Sequence, residues 1–535
     1  MLSAAFYPGK IITYLFPGDP ARDFYIALRL LAAALFAHAL ARRLGLSRSA
    51  ALVAALCFSL TGYFKVFVNE NYLNADVLLP GLLLFTLRLR DRARLLDFLA
   101  LALLMFFVIN NGHPEAAWFT LLPAAFMMAF TAKSAAQAGR GLVLFMAAGW
   151  LSLALSFPML LPFIELWGRG EHFHAPYAGF FHYPAAQVWA LASPWFYGPA
   201  PAGAPFLFGF SVAWPEQASG VPGYAETIVP WLCPSLGMTP LLLALIGAGQ
   251  LRRLSRAEVA LLAYSVFFIG VMFGLPAFRW LGLLPIFSFS GNFKHALPLV
   301  ALSAALLAGR GLDSVLFGKS SGFRIAALTM SLALALLLLG LVPGAQNPAQ
   351  PYLNPASAGL ILVMTATGLW LSLFAWLQGR SRDHKPGTID LTAAMTAIIA
   401  TAAVLFSLVL DARHQPMRDP GYEARLLAGG AYEWLKQEQP TGRVYISQDL
   451  APANMNLVLG LADLRVMDGV NDRRLVAAIN RVNDHTRSQG GEYWYRTVGY
   501  LQPRPEKLSH PLLRLFNLEF AMTAGPLPYN QDIKS

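Results

Sequence analysis

Apolar and polar positions alternate along this chain on the scale of a lipid bilayer. About twelve apolar stretches recur, at 22–40, 49–68, 75–89, 94–110, 114–131, 141–166, 227–248, 257–274, 293–310, 323–342, 356–378 and 389–410. An apolar run of roughly 20 residues crosses the hydrocarbon core as a helix. Basic residues fill every second gap: Arg42, Arg43 and Arg48; Arg88, Arg90, Arg92 and Arg94; Lys133 and Arg140; Arg252, Arg253 and Arg256; Arg310, Lys319 and Arg324; Arg380, Arg382 and Lys385. The gaps between them hold few, namely Lys65, Arg169, Arg279 and Lys294. Loops rich in Lys and Arg stay cytoplasmic, so the pattern predicts span count and orientation together. It places 1–21, 69–74, 111–113, 167–226, 275–292, 343–355 and 411–535 outside, and with them both termini.

An outer N-terminus has to be carried across the membrane. The opening MLSAAFYPGKIITYLFPGDP has no basic n-region followed by an apolar core. The reading therefore expects a further helix upstream of Met1, with 1–21 the remnant of a first outer loop. After Leu410 the composition changes. Residues 420–439 read as an amphipathic helix, Arg443–Ser447 and Leu464–Met467 as strands, 472–486 as a polar helix, and Pro511–Leu518 with Glu519–Thr523 as helix then strand. The expected fold class is an α-helical polytopic membrane protein of about 12 spans over 22–410, with an outer loop at 167–226. A small C-terminal α/β extracytoplasmic domain follows over 411–535, its closing element expected beyond Ser535.

Composition agrees. The chain is 56% hydrophobic and 13% charged, where soluble domains carry about 25% charge, and its mean hydropathy is +0.50. The net charge of +11 sits mostly in short loops, where it sets topology and meets anionic lipid; nucleic acid is not an expected partner. Cys57 and Cys233 fall in different apolar stretches and read as packing residues.

Polar residues near the outer ends of the spans carry the candidate chemistry, because a charge near membrane depth needs compensation. Glu70, Asn71, Asn74 and Asp76 form an acidic and amide cluster. They read either as a carboxylate base or metal ligand at a cavity mouth, or as a solvated hairpin. In Gly112-His113-Pro114-Glu115, Pro114 fits a helix first turn and Glu115 its positive end. The same helix start suits a phosphate, and His113 a proton transfer. The plain alternative has Glu115 capping its helix. Asn292, Lys294 and His295 open a later span beside an aromatic stretch, either as a lipid-phosphate contact or with Lys294 snorkelling. Glu171, His172, His174 and His182 have metal-ligand chemistry, without a companion Cys or tight Asp motif.

Several segments in order carry a resemblance: FYPGKIITYLFP, ALARRLGLSRSAALVAALCFSLTGYF, ADVLLPGLLL, NNGHPEAAWFTLL, YAETIVPWLCPSLGMTPLLLALIG, FSFSGNFKHALPLVALSAALLAGRGLD and HPLLRLFNLEFAMTAGPLP. Over nearly its whole length the chain resembles the YfhO family of bacterial membrane proteins, which is similar to GT-C-type glycosyltransferases. The resemblance implies a multi-pass protein of the bacterial cytoplasmic (inner) membrane with an outward active site. It would move sugar from a polyprenyl-phosphate donor to a cell-envelope glycopolymer or lipid acceptor. Glu70, His113 and Glu115 would be catalytic, and Asn71, Asn74, Asp76, Asn292, Lys294 and His295 would bind substrate. No metal ligand is assigned, and a divalent cation is left open as a cofactor. Such enzymes usually carry their key acid in the first outer loop. This chain begins near the end of that loop, so the reading expects a fragment. A flippase or transporter of an envelope lipid, suggested by the interrupted stretches 75–89 and 114–131, and an inactive envelope-binding scaffold are the other readings.

Overall fold

The computed structural model describes residues 7–16, 19–68, 71–172, 191–192, 235–273, 275–278, 293–317, 321–341, 355–380, 391–413, 431–438, 441–446, 462, 470–482, 508 and 510–522. Each apolar stretch holds a helix. These are α1 (Asp19–Arg43), α2 (Arg48–Ser59), α3 (Leu79–Arg92), α4 (Leu95–Ile109), α5 (Pro114–Phe130), α6 (Ala135–Arg169), α7 (Met238–Ala248), α8 (Arg256–Met272), α9 (Leu297–Leu316), α10 (Gly322–Leu341), α11 (Pro355–Arg380) and α12 (Leu391–Arg413). Among the described residues, five segments are long and apolar enough to cross a membrane: Pro20–Arg43, Ala135–Arg169, Leu297–Leu316, Ala358–Gln378 and Thr392–Val409. The exterior fits that reading. Val143, Trp150 and Ile164 on α6 are 60%, 71% and 59% exposed, a surface that water would penalise and lipid tails accept.

Helix ends follow local chemistry. The Ser47 hydroxyl accepts from Ala50 N–H at the start of α2, and Ser255 and Glu258 form a reciprocal capping box on α8. Pro80 and Gly81, the residues that interrupt the stretch 75–89, stand at the start of α3 after a single turn, Leu73–Asp76. A proline in the first helical turn loses no intrahelical hydrogen bond, so the chain restarts its helix there rather than kinking one. The stretch 49–68 also divides, at Leu60 and Thr61, before a short helix Gly62–Val66. Gly62 N–H donates to Ser235 C=O at 2.9 Å, and a Cβ at Gly62 would lie 2.8 Å from Ser235 N, so backbone meets backbone there.

α9 is the central helix, buried along most of its length. It packs against α7 through facing glycines: a Cβ on Gly247 would meet Leu307 C=O at 2.0 Å, and one on Gly311 would meet Leu243 C=O at 2.0 Å. Two residues away, Gly309 brings α9 against Ala50 C=O of α2 at 2.8 Å by the same measure. Small residues that let backbones touch are how helices pack where no hydrophobic drive separates protein from lipid.

One end of this bundle is fastened by the basic gaps. Arg310 holds Glu258 with two bonds, at 2.6 and 3.0 Å, and donates to Leu44 C=O at 2.7 Å. Asp313 accepts from Ser47 N–H at 3.0 Å and from the Ser47 hydroxyl. Arg43 and Arg90 share Asp91, Arg88 pairs with Asp97 at 2.7 Å, and Arg90 donates to Thr131 C=O at 3.1 Å.

The chain divides into two compact units. The first holds the helices up to residue 159 and those of 235–413. The second holds the end of α6 from Leu160, with β1 (Gly170–His172), and the described residues after Pro416. Its elements are α13 (Ala431–Glu438), β2 (Arg443–Ile446), β3 (Val470–Asp472), α14 (Arg473–Val482), α15 (Pro511–Leu515) and β4 (Leu518–Met522). β1 pairs antiparallel with β3, Glu171 opposite Asn471, and β2 pairs parallel with β4, Ile446 opposite Met522. Tyr445, Ile479, Val482, Leu508 and Leu513 make a small core. The expected strand Leu464–Met467 lies outside the described residues.

Candidate functional site

The Asn110–Glu115 turn between α4 and α5 is built to present its side chains. Gly112 has φ +94°, a conformation that L side chains rarely adopt. Asn111 then holds the turn: its Oδ1 accepts from His113 N–H at 2.7 Å and its Nδ2 donates to His113 C=O at 3.2 Å. His113 is the N-cap of α5, its Nδ1 accepting from Ala116 N–H at 3.4 Å. Pro114 occupies the first turn and Glu115 follows, beside the positive helix end. The cap thus belongs to His113, which leaves the Glu115 carboxylate to another neighbour.

That neighbour arrives from the start of α9. His295 lies in the 3₁₀ turn Phe293–Ala296, its side chain fully buried, with Nε2 3.6 Å from Glu115 Oε2. Its ring lies 4.5 Å from the His113 ring, centre to centre, tilted by 47°. Tyr72 stands edge-on to both imidazoles, at 5.4 Å from His113 and 4.9 Å from His295. Potential ligand atoms of His113, Glu115 and His295 all fall within 4.8 Å of one another. Two imidazoles and a carboxylate at this spacing can exchange a proton or share a cation.

Asn74 and Asp76 stand on the single turn that follows Tyr72. Both are fully buried. The Asn74 carbonyl oxygen accepts from the Tyr25 hydroxyl and from Arg29 at 3.1 Å, and its amide donates to Asn111 C=O at 3.3 Å. It therefore ties α1 to the His113 turn. Asp76 accepts from the Tyr63 hydroxyl at 2.9 Å. Asn71 adjoins them, its C=O accepting from Asn74 N–H at 2.9 Å. Arg29 also lies over the Tyr25 ring at 4.6 Å and donates to Val68 C=O. Toward the chain start, burial, and after it Tyr25, push the Tyr7 phenol above its usual range, against the pull of Arg29. Burial, and after it Arg29, lower the Lys10 ammonium.

Of the residues singled out by sequence, His113, Glu115 and His295 meet directly, Asn74 reaches their turn through Asn111, and Asn71 and Asp76 neighbour Asn74 along the chain. Glu70, Asn292, His174 and His182, and the side chains of Lys294, Glu171 and His172, lie outside the described residues. Sequence reasoning missed Tyr25, Arg29, Tyr72 and Asn111. Arg29 carried a readable signal, a charge inside an apolar stretch; Tyr72 and Asn111 gain meaning only from what they touch. Compared with known proteins, this chain finds no matching family model and no matching curated protein.

Proposed function

We propose that this chain is a multi-pass protein of the bacterial inner membrane that transfers sugar from a polyprenyl-phosphate donor to a cell-envelope glycopolymer or lipid acceptor. In this reading it is a GT-C-like protein of about twelve spans, with its site and its α/β domain on the extracytoplasmic side. The observation that carries the reading is the His113–Glu115–His295 group. It sits at the starts of two helices, at the end of the bundle away from the arginine-rich loops. Helix N-termini favour a phosphate, and an imidazole–carboxylate group can draw the proton from an acceptor hydroxyl as the new glycosidic bond forms and the bond from sugar to phosphate breaks, with polyprenyl phosphate leaving. The group gathers at helix ends rather than near mid-depth, where transporters commonly hold their substrate. That placement favours group transfer over transport.

The test is transfer of labelled sugar from a synthetic polyprenyl-phosphate donor by membranes containing the protein. Glu115→Gln should lower the rate at least a hundredfold, the scale of a lost acid–base group. Wild-type membranes that transfer nothing from any donor, or a Glu115→Gln rate equal to wild type, would overturn the reading.

A further inference from the structure

The geometry points to a transition-metal site formed by His113, Glu115 and His295, of the class that takes Zn²⁺. Three observations converge on it. The ligand types are two imidazoles and one carboxylate, the His₂Glu set of catalytic zinc sites, which keep a further position open. Imidazole donors disfavour Mg²⁺ and Ca²⁺, which take oxygen. The spacing is also right. Ligands about 2.0–2.1 Å from a tetrahedral ion stand about 3.3 Å from each other, and the His295 Nε2 to Glu115 Oε2 separation is 3.6 Å. With all three donors within 4.8 Å of one another, small side-chain rotations close the set around one ion.

The surroundings hold these side chains before any ion arrives. Tyr72 fixes the tilt of both imidazoles, and Phe119 adds a third ring 6.4 Å from His295. Asn111 and Asn74 fix the backbone that carries His113. Such outer partners orient the ligands and commonly account for 10–100-fold in affinity. One local bond has to yield. Ligation through His113 Nδ1 takes the lone pair that accepts from Ala116 N–H, and ligation through Nε2 moves the ring proton onto Nδ1. That contact is 3.4 Å long, close to the limit for a hydrogen bond, so its loss costs little. With neutral imidazoles and an ionised Glu115, the bound ion leaves the site with one net positive charge, suited to an anionic group in the open position.

The inference rests on the same side chains as the glycosyl-transfer reading but not on that activity; with an ion bound their lone pairs go to it, and the ion would supply in the open position the acidification of an acceptor hydroxyl. The test uses untagged full-length protein in detergent, stripped with a chelator and titrated with Zn²⁺, with Co²⁺ as the spectroscopic probe. One tight site per chain is expected, weakened more than about a hundredfold by His295→Ala and by Glu115→Gln, a larger loss than an outer partner gives. Asp91→Asn, at the other end of the bundle, should bind as wild type does. If His295→Ala fails to fold, Glu115→Gln, which keeps the side-chain shape, carries the test. Absence of a tight site in the folded wild type, or unchanged affinity in the folded variants, would overturn the inference. A chain that binds the ion and transfers no sugar would retain this site and lose the proposed activity; one that transfers sugar without binding the ion would do the reverse.

Discussion

At the arginine-rich end of the bundle, Glu258 is gripped by two bonds from Arg310, and its Oε2 also accepts from Ser255 N–H at 2.8 Å. At the opposite end, Glu115 faces His295 across 3.6 Å and shares its space with a second imidazole. Both are carboxylates in the first turn of a helix. The first is closed into a latch that joins α8 and α9. The second lies at a distance that suits something placed between it and its neighbours. The comparison shows that a helix start and an acid do not by themselves define a site. The partners decide, an arginine fork closing one carboxylate and imidazoles facing the other.

Exchanging losses between the two ends sharpens this contrast. The largest effect should come from Glu258→Ala, which leaves Arg310 mostly buried and without its acid. Breaking a buried pair from one side typically costs about 3–5 kcal/mol, readable as a lower unfolding temperature in detergent. Glu115→Gln should do the opposite: a hundredfold or greater loss of transfer, equivalent to about 2.7 kcal/mol, with stability shifted by less than about 1 kcal/mol. Equal stability losses at the two positions would erase the distinction. Asn74→Leu should fall between them. It strands the Tyr25 hydroxyl, one Arg29 bond and the Asn111 carbonyl, at about 1–3 kcal/mol, and it should also loosen the His113 turn, so activity and stability decline together. Arg43→Ala is the smallest. Arg43 is 36% exposed in its pair with Asp91, and pairs of that kind contribute roughly 0–1 kcal/mol.

Much of the bundle was legible because lipid leaves a helix few options: the apolar runs predicted helices, and helices stand in each of them. Proline and glycine were harder. Pro80–Gly81 reads as an interruption within a span, yet the structure uses it as a helix start, since a proline's effect depends on which turn it occupies. At the candidate site, Pro114 and Glu115 were readable from spacing alone. The meeting of Glu115 with His295 was not, because the two stand 180 positions apart in the sequence, and only packing brings the start of α9 to that of α5. Asn74 is a second case. Its polarity near a span end was readable, while its bonds to Tyr25, Arg29 and Asn111 come only from packing.

α9 connects the two ends physically. His295 stands just before its first residue, Arg310 and Asp313 are near its last, and its 20 residues reach about 30 Å. Gly309 and Gly311 clamp it by bare backbone on two sides, so it can neither roll nor slide without breaking both crossings. It behaves as a tie rod. The spacing between the buried imidazole and the arginine loops is thereby fixed, and a disturbance at one end reaches the other only by breaking these crossings.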